Sequence, residues 1–167
     1  MNEAQPDALD FTSLYERHAG AVMRFALYLC GNRAQAEDIT SETFVRVWTA
    51  RDRLDLGTIT GYLVTIARHL YLQGLARGRR VTALDVDPED PSPDPQQAAE
   101  GRAELDAVLA DLQRLPEVDR AALLMRAQDQ ISYNEIEAAL EISVGAAKVK
   151  VHRARLKLAE LRLARKG

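Results

Sequence analysis

Residues 132–155, SYNEIEAALEISVGAAKVKVHRAR, carry the pattern that decides the fold. The first four residues, Ser-Tyr-Asn-Glu, form a capping box, which predicts that a short helix over 133–140 begins there. A tight turn follows, and Ser143 is a second good N-cap residue, which predicts a long helix over 144–164. Two helices joined in this way form a helix-turn-helix arrangement.

The second of these helices is predicted to be apolar on one side and basic on the other. Its apolar residues step by four, three, four and three and therefore share one stripe: Ala147, Val151, Ala154, Leu158 and Leu161. The rest of the circumference is rich in cations: Lys148, Lys150, Arg153, Arg155 and Lys157. Such a helix can pack on its own domain and present cations to the major groove of DNA. An ordinary amphipathic surface helix is the alternative that periodicity and charge leave open.

Helical spacing of apolar residues also runs through the N-terminal half. Three segments there share this spacing, and they begin at Leu14, Ala36 and Ile59. In the C-terminal half, Leu105–Leu112 predicts one more helix, and Pro116 is placed as the first residue of the next, where a missing N–H costs nothing. No strand-like alternation persists. The sequence therefore predicts an all-α fold of two small helical domains, the first a bundle of three or four helices.

A proline-rich acidic segment, DVDPEDPSPDPQQ at residues 85–97, separates the two halves. Proline removes backbone donors and like charges repel, so we expect an extended, flexible linker. The predicted division of the chain is a tail over 1–10, an N-terminal domain over 11–82, a linker over 83–101 and a C-terminal domain over 102–165.

The charges are strongly segregated, although the net charge of the 167 residues is only −3. Residues 81–106 carry eight acids and one base, whereas residues 145–167 carry eight bases and one acid. A second basic block contains Arg68, Arg77, Arg79 and Arg80. Because DNA responds to the local field rather than to the average, these two blocks are candidate DNA contacts.

Other features of the sequence exclude several classes of protein. Cys30 is the single cysteine, so no internal disulfide can form, and its apolar neighbours predict a buried small side chain. No apolar stretch is long enough to span a bilayer and the N-terminus is acidic, so we expect a cytoplasmic protein without direct membrane insertion. The histidines are far apart and no catalytic motif appears. We therefore expect no metal, no cofactor, no small-molecule substrate and no enzymatic activity.

Two sets of residues resemble the ECF (extracytoplasmic function) sigma factors of bacterial RNA polymerase. Region 4 of that family is similar to Leu115-Pro116, residues 132–136, Leu140, Ile142-Ser143, Gly145, Lys148 and residues 152–155. Region 2 is similar to residues 36–39, 42–44 and 46–48, followed by Ile66-Ala67-Arg68 and the cluster at 77–80. The matches come in family order and extend from about residue 11 to residue 164.

The resemblance implies a factor that binds RNA polymerase core, recognises a promoter and helps to open it, and that an anti-sigma factor holds inactive. It implies that the core-binding residues are Asp38, Glu42, Phe44, Arg46 and Trp48. For Phe44 and Trp48, plain core packing is the alternative. The −10 element, melted to single strands, would meet Arg68, His69, Gln73, Arg77, Arg79 and Arg80. Tyr71 is a candidate for base stacking, with packing inside its helix the favoured alternative.

The −35 element would be read by the last helix, through Ser143, Gly145, Ala146, Lys148, Val149, Lys150, Arg153 and Arg155. We expect Ser143 and the backbone N–H groups at the helix N-terminus to hold a phosphate. We expect Lys148 and Lys150 to lie deepest in the groove.

Some positions depart from the family pattern. The family usually has Gly-Thr-Val-Lys-Ser-Arg where this chain has Gly-Ala-Ala-Lys-Val-Lys at 145–150, so two hydroxyls are missing and a lysine replaces the arginine. His69 and Gln73 replace an asparagine and an aspartate of the melting helix. One alternative is therefore a sigma-like regulator or decoy that binds polymerase or anti-sigma partners without efficient promoter recognition. Another is a stand-alone helix-turn-helix regulator.

Overall fold

The computed structural model describes residues 11–49, 58–78 and 95–167. These ranges contain seven helices and no strand, so the all-α prediction is confirmed. The helices are α1 (Phe11–Cys30), α2 (Arg33–Thr49), α3 (Ile59–Gly78), α4 (Pro95–Gln113), α5 (Glu117–Asp129), α6 (Tyr133–Leu140) and α7 (Val144–Lys166). None of the described helices is long and apolar enough to cross a bilayer.

Helices α1, α2 and α3 pack on one another and form the N-terminal bundle. Their shared interior is filled by large apolar side chains, among them Phe25, Phe44 and Leu63. Helix α1 ends at Gly31, whose φ of 73° is a conformation that glycine adopts at little cost. The chain then turns directly into α2, because the Asn32 side chain accepts a hydrogen bond from the backbone N–H of Gln35 at 2.8 Å.

Helices α5, α6 and α7 form the C-terminal unit, with the predicted helix-turn-helix at its end. The stripe of α7 is turned inward as predicted, with Leu158 only partly buried. The prediction for Pro116 was wrong by one position: it is the N-cap residue, since its ψ of 143° is extended rather than helical. The next helix begins at Glu117.

The predicted linker was wrong at its C-terminal end. Helix α4 begins at Pro95, so residues 95–101, which were assigned to the linker, are helical. Proline fits the first turn of a helix, and the residues that follow it include alanine, glutamine and glutamate, which are good helix formers. The predicted tail over 1–10 and linker residues 83–94 lie outside the described residues.

The two halves share one apolar core. Helices α1 and α3 of the N-terminal half contact α5, α3 also contacts α6, and α1 contacts α4. The Gln113 side-chain amide donates to the backbone carbonyl of Leu29 at 3.0 Å. The buried guanidinium of Arg120 donates to the Tyr71 hydroxyl at 3.1 Å. Parts of the chain that a long linker separates in sequence are therefore closely packed.

Candidate nucleic-acid and protein interfaces

The N-terminus of α7 is held by two side chains. The Ser143 hydroxyl accepts a hydrogen bond from the backbone N–H of Ala146 at 3.0 Å, as expected of an N-cap. The carboxylate of Glu137 accepts one from the backbone N–H of Val144 at 2.9 Å. A carboxylate thus already lies where a phosphate was expected. In this arrangement the backbone N–H groups of Val144 and Ala146 are already bonded. The expected phosphate contact is therefore limited to the neighbouring groups at this helix end.

Two cations of α7 are tied back to the rest of the C-terminal unit at one side. The carboxylate of Asp119 is only 5% exposed, and it lies 3.4 Å from the ammonium of Lys150 and 3.6 Å from the guanidinium of Arg153. These contacts fix the angular position of both side chains around the helix. The sequence did not indicate Asp119 as a functional residue, because its partners lie about thirty residues away.

On the other flank of α7, the ammonium of Lys148 lies 5.5 Å from the ring centroid of Tyr133. A cation at this distance from an aromatic face is attracted by the ring. The same ring lies 4.7 Å from the guanidinium carbon of Arg126. Lys148 is therefore exposed but oriented.

The crest of α7, opposite its buried stripe, is apolar. Gly145, Val149, His152 and Leu156 step by four, three and four and share this face. Val149 and Leu156 are each 55% exposed. The contacts with Tyr133 and Asp119 draw the ammonium groups of Lys148 and Lys150 toward the two flanks of this face. The expectation that both lysines lie deepest in the groove stays a prediction. His152 and Leu156 were not singled out from the sequence, although their position opposite the stripe was a signal that could have found them.

The predicted melting residues are divided between the surface and the interior. The guanidinium of Arg68 donates from Nε and Nη2 to the two carboxylate oxygens of Glu117, at 2.7 and 2.9 Å. In this packed arrangement α5 covers Arg68, so the side chain is not exposed for its predicted contact with the −10 element. Three other predicted residues of α3 are exposed: His69, Gln73 and Arg77. Arg79 and Arg80 lie outside the described residues.

Tyr71, the candidate for base stacking, is a packed residue. Its ring is buried and its hydroxyl accepts from Arg120. Burial raises the pKa of the Tyr71 phenol above its usual value, and the neighbouring Arg120 charge opposes that rise. The favoured alternative of packing inside the helix is therefore confirmed.

The predicted core-binding residues lie mainly along the outer side of α2. Asp38 and Glu42 are exposed. The guanidinium of Arg46 lies 3.7 Å from the carboxylate of Glu42, and it donates a hydrogen bond to the side-chain oxygen of Gln73 at 3.1 Å. This contact joins the predicted core-binding set to the predicted melting set.

The two aromatic residues of the core-binding set differ in burial. Phe44 is only 2% exposed, so the alternative of plain core packing is correct for it and the expectation of a surface contact was wrong. Trp48 is 45% exposed and meets the ring of Phe11 edge-on, with centroids 5.1 Å apart. A side chain that packs on its own bundle and keeps nearly half of its surface exposed can still meet a partner.

Comparison with known proteins finds two family regions and several relatives that match this chain. Sigma-70 region 2 matches residues 14–81, and Sigma-70 region 4 matches residues 105–158. The ECF RNA polymerase sigma factor SigE of Mycolicibacterium smegmatis is 38% identical over 87% of this chain, and the match spans 58% of SigE. The RNA polymerase sigma factor CarQ of Myxococcus xanthus is 34% identical, with 90% of this chain and 88% of CarQ covered.

Two solved structures share the arrangement of the helices. The sigma factor RpoE of Bartonella quintana, in complex with the anti-sigma factor NepR, is 25% identical with a TM-score of 0.71, over 91% of this chain and 96% of RpoE. CnrH, in complex with the cytosolic domain of CnrY, is 27% identical with a TM-score of 0.70, over 92% of this chain and 88% of CnrH. The two family regions in order, the capped helix-turn-helix and these relatives show that the chain belongs to the ECF family of RNA polymerase sigma factors.

Proposed function

We propose that this chain directs RNA polymerase core to specific promoters, as a transcription initiation factor rather than an enzyme. The observation that carries the proposal is the geometry of α7, which is capped at Ser143, seated on α5 and α6 by a buried stripe, and edged with cations. A helix seated in this way can enter the major groove as a rigid reading element. The family pattern of the N-terminal bundle supplies the complementary polymerase contact.

The proposal assigns a role to each part of the chain. The bundle over 11–82 binds polymerase core and the melted −10 element, the segment over 83–94 connects it, and the unit over 95–165, which begins with α4, reads the −35 element. Core binding rests on Asp38, Glu42, Arg46 and the exposed part of Trp48. The cytoplasm, where transcription takes place, is the proposed compartment.

The −10 contact of Arg68 requires the two halves to separate. In the packed arrangement both of its hydrogen-bonding edges are occupied by Glu117. We propose that polymerase or promoter binding releases this pair and exposes Arg68 together with His69 and Arg77. Melted DNA would then meet Arg68 in addition to the side of α3 that already exposes His69 and Arg77.

An anti-sigma factor is the proposed regulatory partner. RpoE and CnrH were solved with NepR and with the cytosolic domain of CnrY, respectively. This chain matches both of them along nine-tenths of its length, and that shared fold supports a partner of the same kind. The same partner would compete with polymerase for the exposed side of α2.

Reconstitution with RNA polymerase core tests the proposal. The full chain is combined with core, and transcription from genomic fragments is measured together with core binding. We expect promoter-dependent transcripts that disappear with Lys148→Glu, whereas Arg17→Glu, a charge reversal on the exposed side of α1, retains them. For each phosphate that a variant no longer neutralises, the slope of log affinity against log salt should become shallower by about 0.9. Core binding without any promoter-dependent transcript contradicts the proposal and favours the decoy.

A further inference from the structure

The crest of α7 presents a methyl-bearing side chain between two restrained cations. Val149 is 55% exposed, and Lys148 and Lys150 precede and follow it in the sequence. The contact of Lys148 with Tyr133 and that of Lys150 with Asp119 draw the two ammonium groups toward opposite flanks of the helix. Val149 therefore presents its two methyls on the crest at this turn of the helix, between the two cations.

Exposure of valine at this place is unfavourable unless a partner covers it. Valine gains free energy when its methyls leave water, and it has a weaker helix propensity than lysine or alanine. Neither packing nor helix formation explains it here, because the buried stripe lies on the opposite side. The neighbouring turns continue the same surface with Gly145, which has no side chain, and with Leu156, also 55% exposed.

We propose that Val149 reads thymine in the −35 duplex, through contact of its methyls with the thymine 5-methyl group. Thymine is the base that presents a methyl group at the floor of the major groove, and apolar side chains recognise it by contact. The flanking cations would meet the phosphates on the two walls of the groove, which positions the helix without reading sequence. This inference rests on the proposed function, since it requires α7 to lie in the major groove.

The geometry also explains why Lys150 would not take over the reading of the base. Its ammonium is bound by the buried carboxylate of Asp119, so reaching a guanine edge would leave that carboxylate with Arg153 alone. A buried acid that loses a partner is destabilised. The apolar contact at Val149 therefore takes the central position, and the preferred base at that step is thymine.

Replacing deoxythymidine by deoxyuridine tests the contact, because it removes the methyl group and leaves base pairing intact. Holoenzyme is assembled from RNA polymerase core and the full chain, and bound duplexes are selected from a library randomised over the −35 region. Each thymine of the selected site is then replaced singly. We expect one replacement, or two adjacent ones, to weaken binding about threefold to fivefold, the effect of removing one methyl group from an apolar interface.

The variant Val149→Ala should bind the thymine and uracil duplexes equally. Val108→Ala, which shortens a valine 46% exposed on α4, should keep the full preference for thymine and controls for general effects of the substitution. Because both positions are exposed, neither change should prevent folding.

The outcomes separate this inference from the function on which it rests. If selected sites contain no thymine, or if uracil is accepted at every position by the unsubstituted chain, the inference is overturned while promoter recognition stands. If Val149→Ala keeps the preference for thymine, another residue reads the base and the inference is again overturned. If no sequence is enriched at all, the proposed function itself fails.

Discussion

The thiol of Cys30 lies at the end of α1, where it donates a hydrogen bond to the backbone carbonyl of Asn32 at 3.2 Å. Burial is the largest influence on this group and raises the pKa of the Cys30 thiol, outweighing the neighbouring hydrogen bonds and the Arg120 charge. Its contribution to stability is therefore present below the pKa of the unfolded chain and is lost as the pH rises through the folded value.

Since the thiolate is the reactive form, Cys30 should react with Ellman's reagent several-fold more slowly in the folded chain than in urea. The rate in the folded chain should also begin to rise at a higher pH. As the single cysteine of the chain, Cys30 gives an unambiguous signal, and the urea-unfolded chain is the internal control. Equal rates in the two states would show that the thiol is not shielded.

Glu135 illustrates which properties of a residue are predictable from sequence. Its position three residues after Ser132 correctly predicted the start of α6, where the Ser132 hydroxyl accepts from the backbone N–H of Glu135 at 3.2 Å. The carboxylate, however, accepts hydrogen bonds from the N–H and hydroxyl of Thr58, in the other half of the chain. Local backbone contacts follow from spacing. The partner of a long charged side chain depends on the tertiary packing, which also decided the burial of Arg68.

At the level of elements, a helix with a capping residue and a clear apolar stripe was predicted well, whereas the start of α4 was not. Helix α7 has a capping serine and an unbroken apolar stripe, so its start and its inner face both follow from the sequence. The start of α4 lies among prolines and acids, a composition that favours an extended chain. From residue 100 to the end of α4, where burial is described, the buried side chains are Leu109 and Leu112, so the apolar pattern marks the end of the helix better than its start.

Gly145 gives a prediction for α7 as an element. A Cβ added at Gly145 would meet nothing within 4 Å, and the same holds for Gly101 in α4. Alanine at either position should stabilise its helix by up to about 1 kcal/mol, because glycine loses more backbone entropy on folding. Gly145, however, lies on the proposed DNA-facing crest, where an added methyl group would keep α7 from approaching the major groove closely.

We therefore expect Gly145→Ala to raise the thermal midpoint and yet weaken −35 duplex binding by holoenzyme about fivefold to tenfold, the cost of a poorly accommodated methyl group. Gly101→Ala is the matched control, with a similar gain in stability and unchanged binding. Thermal unfolding followed by circular dichroism and a duplex titration measure the two effects. Unchanged affinity in Gly145→Ala would place the crest away from the DNA.

For the molecule as a whole, the sequence predicted two domains but not how they pack. The division was drawn from composition, and prolines and acids do favour a separation of the halves. The contacts that join the halves pair residues far apart in the chain, such as Gln113 with Leu29 and Arg120 with Tyr71. No periodicity or capping rule encodes such pairs. The single core that results predicts that both halves unfold together.

The Arg68–Glu117 ion pair is a shielded polar contact between the two halves. Both side chains are largely shielded, with exposures of 11% and 20%, and two hydrogen bonds join them. Replacing Glu117 by glutamine leaves a shielded guanidinium without its counter-charge, and should lower the free energy of unfolding by about 2–3 kcal/mol. Glu160→Gln is the control, because its 3.6 Å pair with Lys157 is exposed and should contribute less than about 0.5 kcal/mol.

Urea unfolding followed by two probes measures the change in the free energy of unfolding for both variants. Fluorescence of Trp48, the single tryptophan, reports the N-terminal bundle, and circular dichroism reports the helices of both halves. In the unsubstituted chain the two transitions should coincide, since the halves share one core. In Glu117→Gln the midpoints should fall and separate, because the surface between α3 and α5 is weakened. If Glu117→Gln behaves like Glu160→Gln, the ion pair does not hold the halves together, and breaking it to release Arg68 for promoter DNA costs little free energy.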